Sequence, residues 1–488
     1  MNKNANRITL RQIARRAMIS RGLLPDFPAV VLAELKKITL PANNTSAMAR
    51  DLRHLLWCSV DNDDSLDLDQ LSYAEQLPGG KVRLLVAIAD VDAFVSKQSN
   101  IDNYASQNTA TIYTIAEIFP MLPEKLSTDL TSLRFNADRY AVVVEMVIGD
   151  DGAILQSDVY CATVCNHAKL QYDSLADWLE GNGPMPSEIR KVKGLAENIQ
   201  LQDQIAQKMK ELRYEHGALE FETIEAKPVF EGDSLSEMKA VQKNRAKSLI
   251  EDFMIATNGA TARYLTVKNF PSLRRVVRTP KRWDRIVELA SEHGFFLPEK
   301  AEAKSLSAYL KFIKQNDPKH FVDMSISVLK LLGAGEYVVE TPGSTSEGHF
   351  GLAVRDYTHS TAPNRRYPDL VTQRLLKSAM AGDSVPYSIE QLEIIAHNCT
   401  LKEDAVKKVE RQVEKSANAM LMASRIGEVF EAIVSGASPK GTWIRLFHPH
   451  VEGKLVNGFR GLEVGHQLKA RLIHINVEEG FIDFERVE

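Results

Sequence analysis

Between residues 7 and 37 the apolar positions of ITLRQIARRAMISRGLLPDFPAVVLAELKK recur at helical spacing and are interrupted at Pro25 and Pro28. This predicts two helices packed as an appendage, a small helical head. From about residue 51 to 170 the text changes to short β-rich runs, such as LLWCSV, VRLLVAIADV and YAVVVEMVIG, separated by Gly, Asp and Pro turns. Between 190 and 425 long helical patterns dominate, for example over 242–265 and 403–425. After Arg425 the pattern returns to strands in EVFEAIVSG, TWIRLF, VEGKLV, HQLKARLIHI and GFIDFERV. Strands first and helices later predict an α+β body. Five short strands in the last 64 residues predict a small OB-type barrel, an architecture that often holds single-stranded nucleic acid. The expected divisions are 1–50, 51–424 and 425–488, with no internal repeat or low-complexity tract.

The 488 residues, 44% hydrophobic and 25% charged, supply one large core and something smaller. A formal net charge of −4 excludes the globally basic surface of a nucleic-acid coat protein, so any such contact is local. Arg11, Arg15, Arg16 and Arg21 give the helical head one positive face, for which a solvated helix surface is the ordinary explanation. The polar start Met1-Asn2-Lys3-Asn4-Ala5-Asn6-Arg7 lacks the apolar run of a signal peptide, and no stretch approaches the roughly 20 apolar residues of a membrane span. A cytoplasmic protein with no membrane partner is expected. Cys58, Cys161, Cys165 and Cys399 are too few and scattered for a disulfide framework. Cys161, Cys165 and His167 have poor spacing for zinc and sit in a run that reads as strand.

Asp61, Asp63, Asp64, Asp67 and Asp69 crowd five carboxylates into nine residues between two apolar strands. Such crowding near a core is costly unless cations compensate it. With no Cys or His nearby in sequence, hard oxygen donors point to Mg²⁺, Mn²⁺ or Ca²⁺. An EF-hand fails, because Leu66 stands where the turn needs glycine and Ser72 where the loop needs a bidentate glutamate. A solvated acidic loop is the ordinary alternative. A phosphodiester needs an activated water and relief of charge on the attacked phosphate, and two metals about 3.5–4 Å apart supply both. An arginine offsets the charge that builds there, and Arg365, in Thr361-Ala362-Pro363-Asn364-Arg365-Arg366-Tyr367-Pro368, is a candidate.

Six blocks in order, DLRHLLWCSVDNDDSLDLDQ, VAIADVDAFV, IYTIAEIFPMLPEKLSTDLTSLRFNADR, GALEFETIEAKPVF, SLIEDFMIATN and HFGLAVRDYTHSTAPNRRYPDLVTQRLL, make residues 51–420 resemble the RNB exoribonuclease family of the ribonuclease II/R type. The last 64 residues are similar to the RNA-binding OB domain that commonly ends these enzymes. The resemblance implies an α+β RNB catalytic domain over 51–424 with mixed β-sheets and surrounding helices, a five-stranded OB-type barrel over 425–488, and a short helical N-terminal segment over 1–50. It further implies 3′→5′ hydrolysis of single-stranded RNA to nucleoside 5′-monophosphates, with Mg²⁺ as cofactor and Mn²⁺ as an alternative, by a monomer.

By residue, the resemblance implies that Asp61, Asp67 and Asp69 bind metal, with Asp69 most directly tied to cleavage. The family's fourth aspartate falls on Gln70, whose amide oxygen can ligate but brings no charge, so a second metal would be held more weakly. Asp63 and Asp64 are the nearest carboxylates to compensate. Arg365 matches the arginine needed for cleavage. Tyr113 and Phe221 match aromatic side chains that clamp terminal bases, Glu251 an RNA contact, and Glu410 a further site glutamate. On the residues alone, Tyr113 and Phe221 read as core aromatics. The two cold-shock-type barrels that usually precede the catalytic body have no counterpart in the roughly 50 residues ahead of it, which implies weaker binding or lower processivity, and a smaller salt slope, than in a full-length relative. Alanine stands in Val86-Ala87-Ile88-Ala89-Asp90 where relatives often have histidine.

Pro78-Gly79-Gly80-Lys81 lacks the preceding glycine and following Ser or Thr of a P-loop, so no nucleotide cofactor is expected. Arg274, Arg275, Arg278, Lys281 and Arg282 form a basic run that would border an RNA channel or simply coat the surface. The competing functions are a catalytically impaired RNB-like RNA-binding protein, crippled at Gln70, and a metal-binding structural protein unrelated to RNA.

Overall fold

A computed structural model describes residues 6–39, 49–222, 225–232, 234–241, 243–318, 320–344, 348–438, 441–463 and 465–487. Residues 1–5 and 40–48 of the expected helical segment therefore lie outside the described residues, as do Thr223 and Ile224 of the fourth family-like block.

The chain opens with α1 (Asn6–Ile19) and α2 (Ala29–Leu35), the second starting directly after Pro28. Strands β1 (Arg50–Asp51), β2 (Cys58–Asp61), β3 (Gln70–Gln76) and β4 (Val82–Ala89) follow, then α3 (Asn100–Asn108) and the short β5 (Ile112–Tyr113) and β6 (Ile118–Phe119). Next come β7 (Asp138–Ile148), β8 (Ile154–Cys165), β9 (Ala168–Gln171), α4 (Tyr172–Leu179), α5 (Ser187–Lys191) and α6 (Leu195–Glu215). A hairpin of β10 (Glu225–Glu231) and β11 (Ser234–Val241) leads to α7 (Arg245–Val267), β12 (Ser272–Val276), α8 (Trp283–Glu292), α9 (Ala303–Asn316) and α10 (Phe321–Leu332). The path ends with β13 (Glu336–Glu340), α11 (Tyr367–Ala381), α12 (Ile389–Met422) and the strands β14 (Val429–Ser438), β15 (Gly441–Leu446), β16 (Glu452–Asn457), β17 (Gln467–Asn476) and β18 (Phe481–Arg486).

Seven strands form a mixed sheet in the order β1-β8-β7-β4-β3-β2-β9, with β1–β8 and β2–β9 parallel and the other pairs antiparallel. Central β4 reads VRLLVAIA without clean alternation because both its faces are buried. Leu84, Val86 and Ile88 join the main core with residues of α6, α7 and α11, while Leu85, Ala87 and Ala89 face a smaller core around Trp57, Leu71 and Leu133. Helices α8, α9 and α10 enclose a separate core of Trp283, Ile286, Leu306, Tyr309 and Phe321.

The 34-residue α12, about 51 Å long at 1.5 Å per residue, begins well before the pattern over 403–425 suggests. Its start is set by a capping box, Ser388 with Gln391. Three cores share it: Leu392, Ala396 and Cys399 enter the main core, Val406, Val409 and Val413 meet α1, and Ala419 and Met422 enter the barrel. The N-terminal helix is thus no appendage. Leu10, Ile13, Ala14 and Met18 are buried against α12, and its arginines serve contacts within the chain: Arg16 pairs with Glu478, Arg15 with Asp26, and Arg21 donates to Gln412. The last five strands close a barrel in the order β14-β15-β16-β18-β17, the OB-type arrangement expected.

The basic run is corrected at its first two members, while Arg278, Lys281 and Arg282 are exposed as expected. Arg274 is 1% exposed and bonded to Glu340 and Thr266, and Arg275 is buried and paired with Glu403 at 2.7 Å. On β12 these two point into the fold because its whole length is covered. Cys161 and Cys165 lie on β8 as free thiols, in keeping with the strand reading. No helix among the described residues is long and apolar enough to cross a membrane.

Candidate active site

The acidic residues lie where β2 ends and β3 begins. Parallel pairing of β2 with β9 and antiparallel pairing of β3 with β4 bring both ends of the intervening loop to one sheet edge. The loop is pinned throughout: Leu68 N donates to Ser132 Oγ at 3.0 Å, Ser132 Oγ donates to Leu66 O at 2.7 Å, and Ala89 N donates to Asp69 O at 3.0 Å. Lys169 Nζ donates to the carbonyls of Asp63 (2.8 Å) and Ser65 (2.7 Å), and Gln171 Nε2 donates to Asp63 Oδ1.

The three carboxylates matched to metal-binding aspartates each accept from a local donor. Asp61 Oδ1 accepts from Asn62 N (2.7 Å) and Ser65 Oγ (2.8 Å), Asp67 Oδ2 from the Tyr113 hydroxyl (3.0 Å), and Asp69 Oδ2 from Arg365 Nε (2.6 Å). Like charges repel, and these local donors offset part of that repulsion. Consistently, no three His, Cys, Asp or Glu side chains among the described residues are gathered closely enough to hold a metal ion. Asp69 is 2% exposed, and burial pushes its carboxyl up to about 7 despite the opposing pull of Arg365. Burial likewise raises Asp61.

Two features of the donor set fit a divalent cation. All candidate ligands offer hard oxygens, and Asp69 Oδ1 is buried without a hydrogen-bond partner among the described residues. Gln70 is buried at the first position of β3, opposite Ile88, and its amide has no hydrogen-bond partner among the described residues.

Arg365 comes from the loop ahead of α11, nearly the whole catalytic body away in sequence. Thr111 N donates to Arg365 O (2.9 Å), Tyr367 N to Thr109 O (2.8 Å), and Asp369 Oδ1 accepts from Ala362 N (2.8 Å) and Arg366 Nη2 (2.7 Å). Pro368 in the first turn of α11 supplies the fixed φ that starts the helix. Only Nε of Arg365 is spent on Asp69; its two η-nitrogens have no hydrogen-bond partner among the described residues, and the side chain is 40% exposed. Burial lowers the affinity of this guanidinium for its proton, but Asp69 more than offsets this, so it stays charged.

Tyr113 is 42% exposed, not a core aromatic, and its backbone N donates to Glu410 Oε1 at 3.0 Å. Asp67, Tyr113 and Glu410 are therefore one connected group. Phe221 and Glu251 stand apart from it, lining a cavity of about 240 Å³ with Arg213, Lys243 and His349, where Glu251 pairs with Lys243. Sequence reasoning missed Lys169 and Tyr172. Burial first, and then the nearby charge of Asp61, raise the Tyr172 phenol above its ordinary range. The alternation of Lys169 and Gln171 in AKLQ carries meaning only once β9 is known to pair with β2.

Comparison with known proteins gives a consistent result. The RNB domain matches residues 49–382, and the RNase II-type exonuclease C-terminal S1 domain matches residues 428–487. Ribonuclease R of Vibrio cholerae is 29% identical over 501 aligned positions, covering 95% of this chain and 60% of that protein. The chain thus spans about three fifths of that relative's length. Mycoplasma genitalium RNase R, solved in complex with ribose methylated single-stranded RNA, shares the fold with a TM-score of 0.89 at 23% identity, over 99% of this chain and 78% of that one. Yeast Ssd1, described as a pseudonuclease, shares it with a TM-score of 0.72 at 16% identity, over 95% and 58%. The fold by itself therefore does not decide activity.

Proposed function

Since the chain belongs to the RNB family, we propose that it is a metal-dependent 3′→5′ exoribonuclease that hydrolyses single-stranded RNA to nucleoside 5′-monophosphates. The observation that carries this reading is the pairing of Arg365 with buried Asp69 beside Asp61 and Asp67, with the η-nitrogens of Arg365 unpaired among the described residues and the side chain part-exposed. A purely binding protein has no chemical need for that set.

Asp61, Asp67, Asp69 and Gln70 would hold Mg²⁺, with Mn²⁺ as a substitute. Bound there, such an ion supplies an activated water and relieves charge on the attacked phosphate. Arg365 has donors free to meet the phosphate as its charge grows. The exposed Tyr113 ring offers a stacking surface for a base, tethered through its hydroxyl to Asp67 and through its backbone to Glu410. Phe221 and Glu251 share the cavity into which the terminal nucleotide would reach. The 2′-hydroxyl is the handle for preferring RNA over DNA. The closed barrel over 428–487 supports a grip on the upstream strand. Four free cysteines suit a reducing cytoplasm, where the protein would act as a monomer without nucleotide cofactor.

Gln70 favours one rival, an RNA-binding protein with impaired hydrolysis, because it removes a charge from the metal-binding set. Both are tested by incubating the protein with 5′-labelled oligo(A), with Mg²⁺ or Mn²⁺ and with EDTA, beside Asp69→Asn. A metal-dependent ladder shortening from the 3′ end, absent in the variant, is expected. Tight binding without shortening would select the rival.

A further inference from the structure

Between α6, α7 and residues 152–154 and 354–356 lies a second cavity of about 440 Å³. Its charged wall consists of Arg213, His216, Asp252, Arg263, Arg355 and Asp356. Three guanidinium groups face two carboxylates, and their hydrogen bonding is incomplete. Arg213 bonds Asp252 through one η-nitrogen, while its Nε is buried with no partner. Arg263, half-buried, makes no hydrogen bond to any described residue. The opposite charge nearest to it, Asp356, lies 3.9 Å from the buried Arg274 and is shared with it. Arg355 is exposed on the rim without a carboxylate partner among the described residues.

Of these donors Arg213 Nε is the one buried without a partner among the described residues, at a cost on the order of 1–3 kcal/mol, so it calls for an occupant that accepts from it, with the solvent-reachable donors of Arg263 and Arg355 beside it. Gly259, one turn before Arg263, helps to make the site. A Cβ there would stand 3.2 Å from Arg263 Nη1 and 3.5 Å from Asp356 O, so the missing side chain gives the guanidinium its room. Forked N–H donors with net positive charge match the geometry of phosphate and carboxylate oxygens, and a phosphate brings more charge and more acceptor oxygens to three guanidinium groups than a carboxylate does. Met209, Leu212 and Ile255 provide an apolar floor beside them, suited to an anion that carries a flat apolar body. Arg213 also lines the cavity that holds Phe221 and Glu251, so one side chain borders both spaces.

We propose that this cavity binds a phosphate monoester, and that its occupant is the nucleoside 5′-monophosphate set free by hydrolysis, received by Arg213, Arg263 and Arg355 on its way out. The identity of the occupant rests on the exoribonuclease reading; the anion site does not.

The test is calorimetric titration of the whole chain in EDTA with AMP, adenosine and inorganic phosphate, repeated on Arg263→Gln, Arg355→Gln and Phe221→Ala. AMP is expected to saturate one site, phosphate to bind more weakly and adenosine not at all. Arg263→Gln should weaken AMP by at least about tenfold and the exposed Arg355→Gln by several-fold, whereas AMP seated in the terminal-nucleotide cavity would instead lose affinity in Phe221→Ala. Thermal melts identify any variant that fails to fold, and Arg355→Gln, altered only at the surface, keeps the test decisive if Arg263→Gln does so. Absence of AMP binding at millimolar concentration would overturn the proposal, as would wild-type affinity in Arg263→Gln and Arg355→Gln, or loss only in Phe221→Ala. Phosphate binding as tightly as AMP would overturn the nucleotide assignment. AMP binding that persists in a protein unable to shorten RNA would remove the exoribonuclease reading and leave the anion site standing.

Discussion

Arg365 Nε lies 2.6 Å from Oδ2 of Asp69, 296 residues away in the chain, while Asp69 Oδ1 is buried without a partner among the described residues. One carboxylate thus has one oxygen satisfied by a cation of the protein and the other open. Arg365 is the mirror image, with Nε engaged and both η-nitrogens unpaired among the described residues.

Asp69→Asn should reduce cleavage by at least about a hundredfold while leaving RNA affinity within a few-fold, because it alters the carboxylate and not the stacking ring of Tyr113. Single-turnover hydrolysis and equilibrium RNA binding on the same preparation measure both. Equal loss of the two would refute the assigned role.

The raised carboxyl of Asp69 makes stability depend on pH in a fixed direction. Its ordinary value is 3.8 and its folded value about 7, so the folded state holds the extra proton between these limits. The associated stability is full below about pH 4 and is lost as pH rises to about 7. In EDTA, wild type should therefore lose on the order of a few kcal/mol relative to Asp69→Asn across that window, and nothing further above it. Paired denaturation curves at a series of pH values provide the comparison; a flat difference from pH 4 to 7 would contradict the burial argument.

Gln70→Asp restores a charge at a position that is buried at the start of β3 and unbonded among the described residues. Mg²⁺ should then bind more tightly, on the order of tenfold, as read by calorimetry without RNA and by the half-saturating Mg²⁺ for cleavage. An unchanged metal titration would mean that position 70 faces away from the ion.

Tyr113 has two separable parts. Tyr113→Ala should cost roughly 1–3 kcal/mol of RNA binding through lost stacking. Tyr113→Phe keeps the ring but frees Asp67 from its 3.0 Å hydroxyl bond, so RNA affinity should hold while metal affinity shifts. If Phe weakens RNA as much as Ala does, stacking is not what the ring contributes.

Lys169 positions the acidic loop through the carbonyls of Asp63 and Ser65. Lys169→Met should weaken Mg²⁺ binding by about 10–100-fold with little change in RNA affinity, and Lys169→Arg should recover part of it. Metal binding unaltered in Lys169→Met would show that the loop holds its shape without this clamp.

Much of this protein follows from local pattern. The uninterrupted apolar run of β4 declares a strand buried on both faces, the five alternating runs after Arg425 each become a barrel strand, and the crowding of Asp61 to Asp69 marks where charge must be neutralised. These are readable because periodicity and turn residues act over a few positions. Tertiary structure alone decided the rest. Arg274 and Arg275 looked like a basic surface yet are buried, since β12 is covered on both sides and Glu340 and Glu403 are there to pair with them. The helix expected over 403–425 became the spine from Ile389 to Met422, joining three cores, and Arg365, Tyr113 and Glu410 met the acidic loop only through packing of α11, α12 and the sheet. Such pairings span hundreds of residues, and nothing local encodes them: they exist because burying the shared apolar faces brings those loops to one edge, where charge and hydrogen bonding then select the partners.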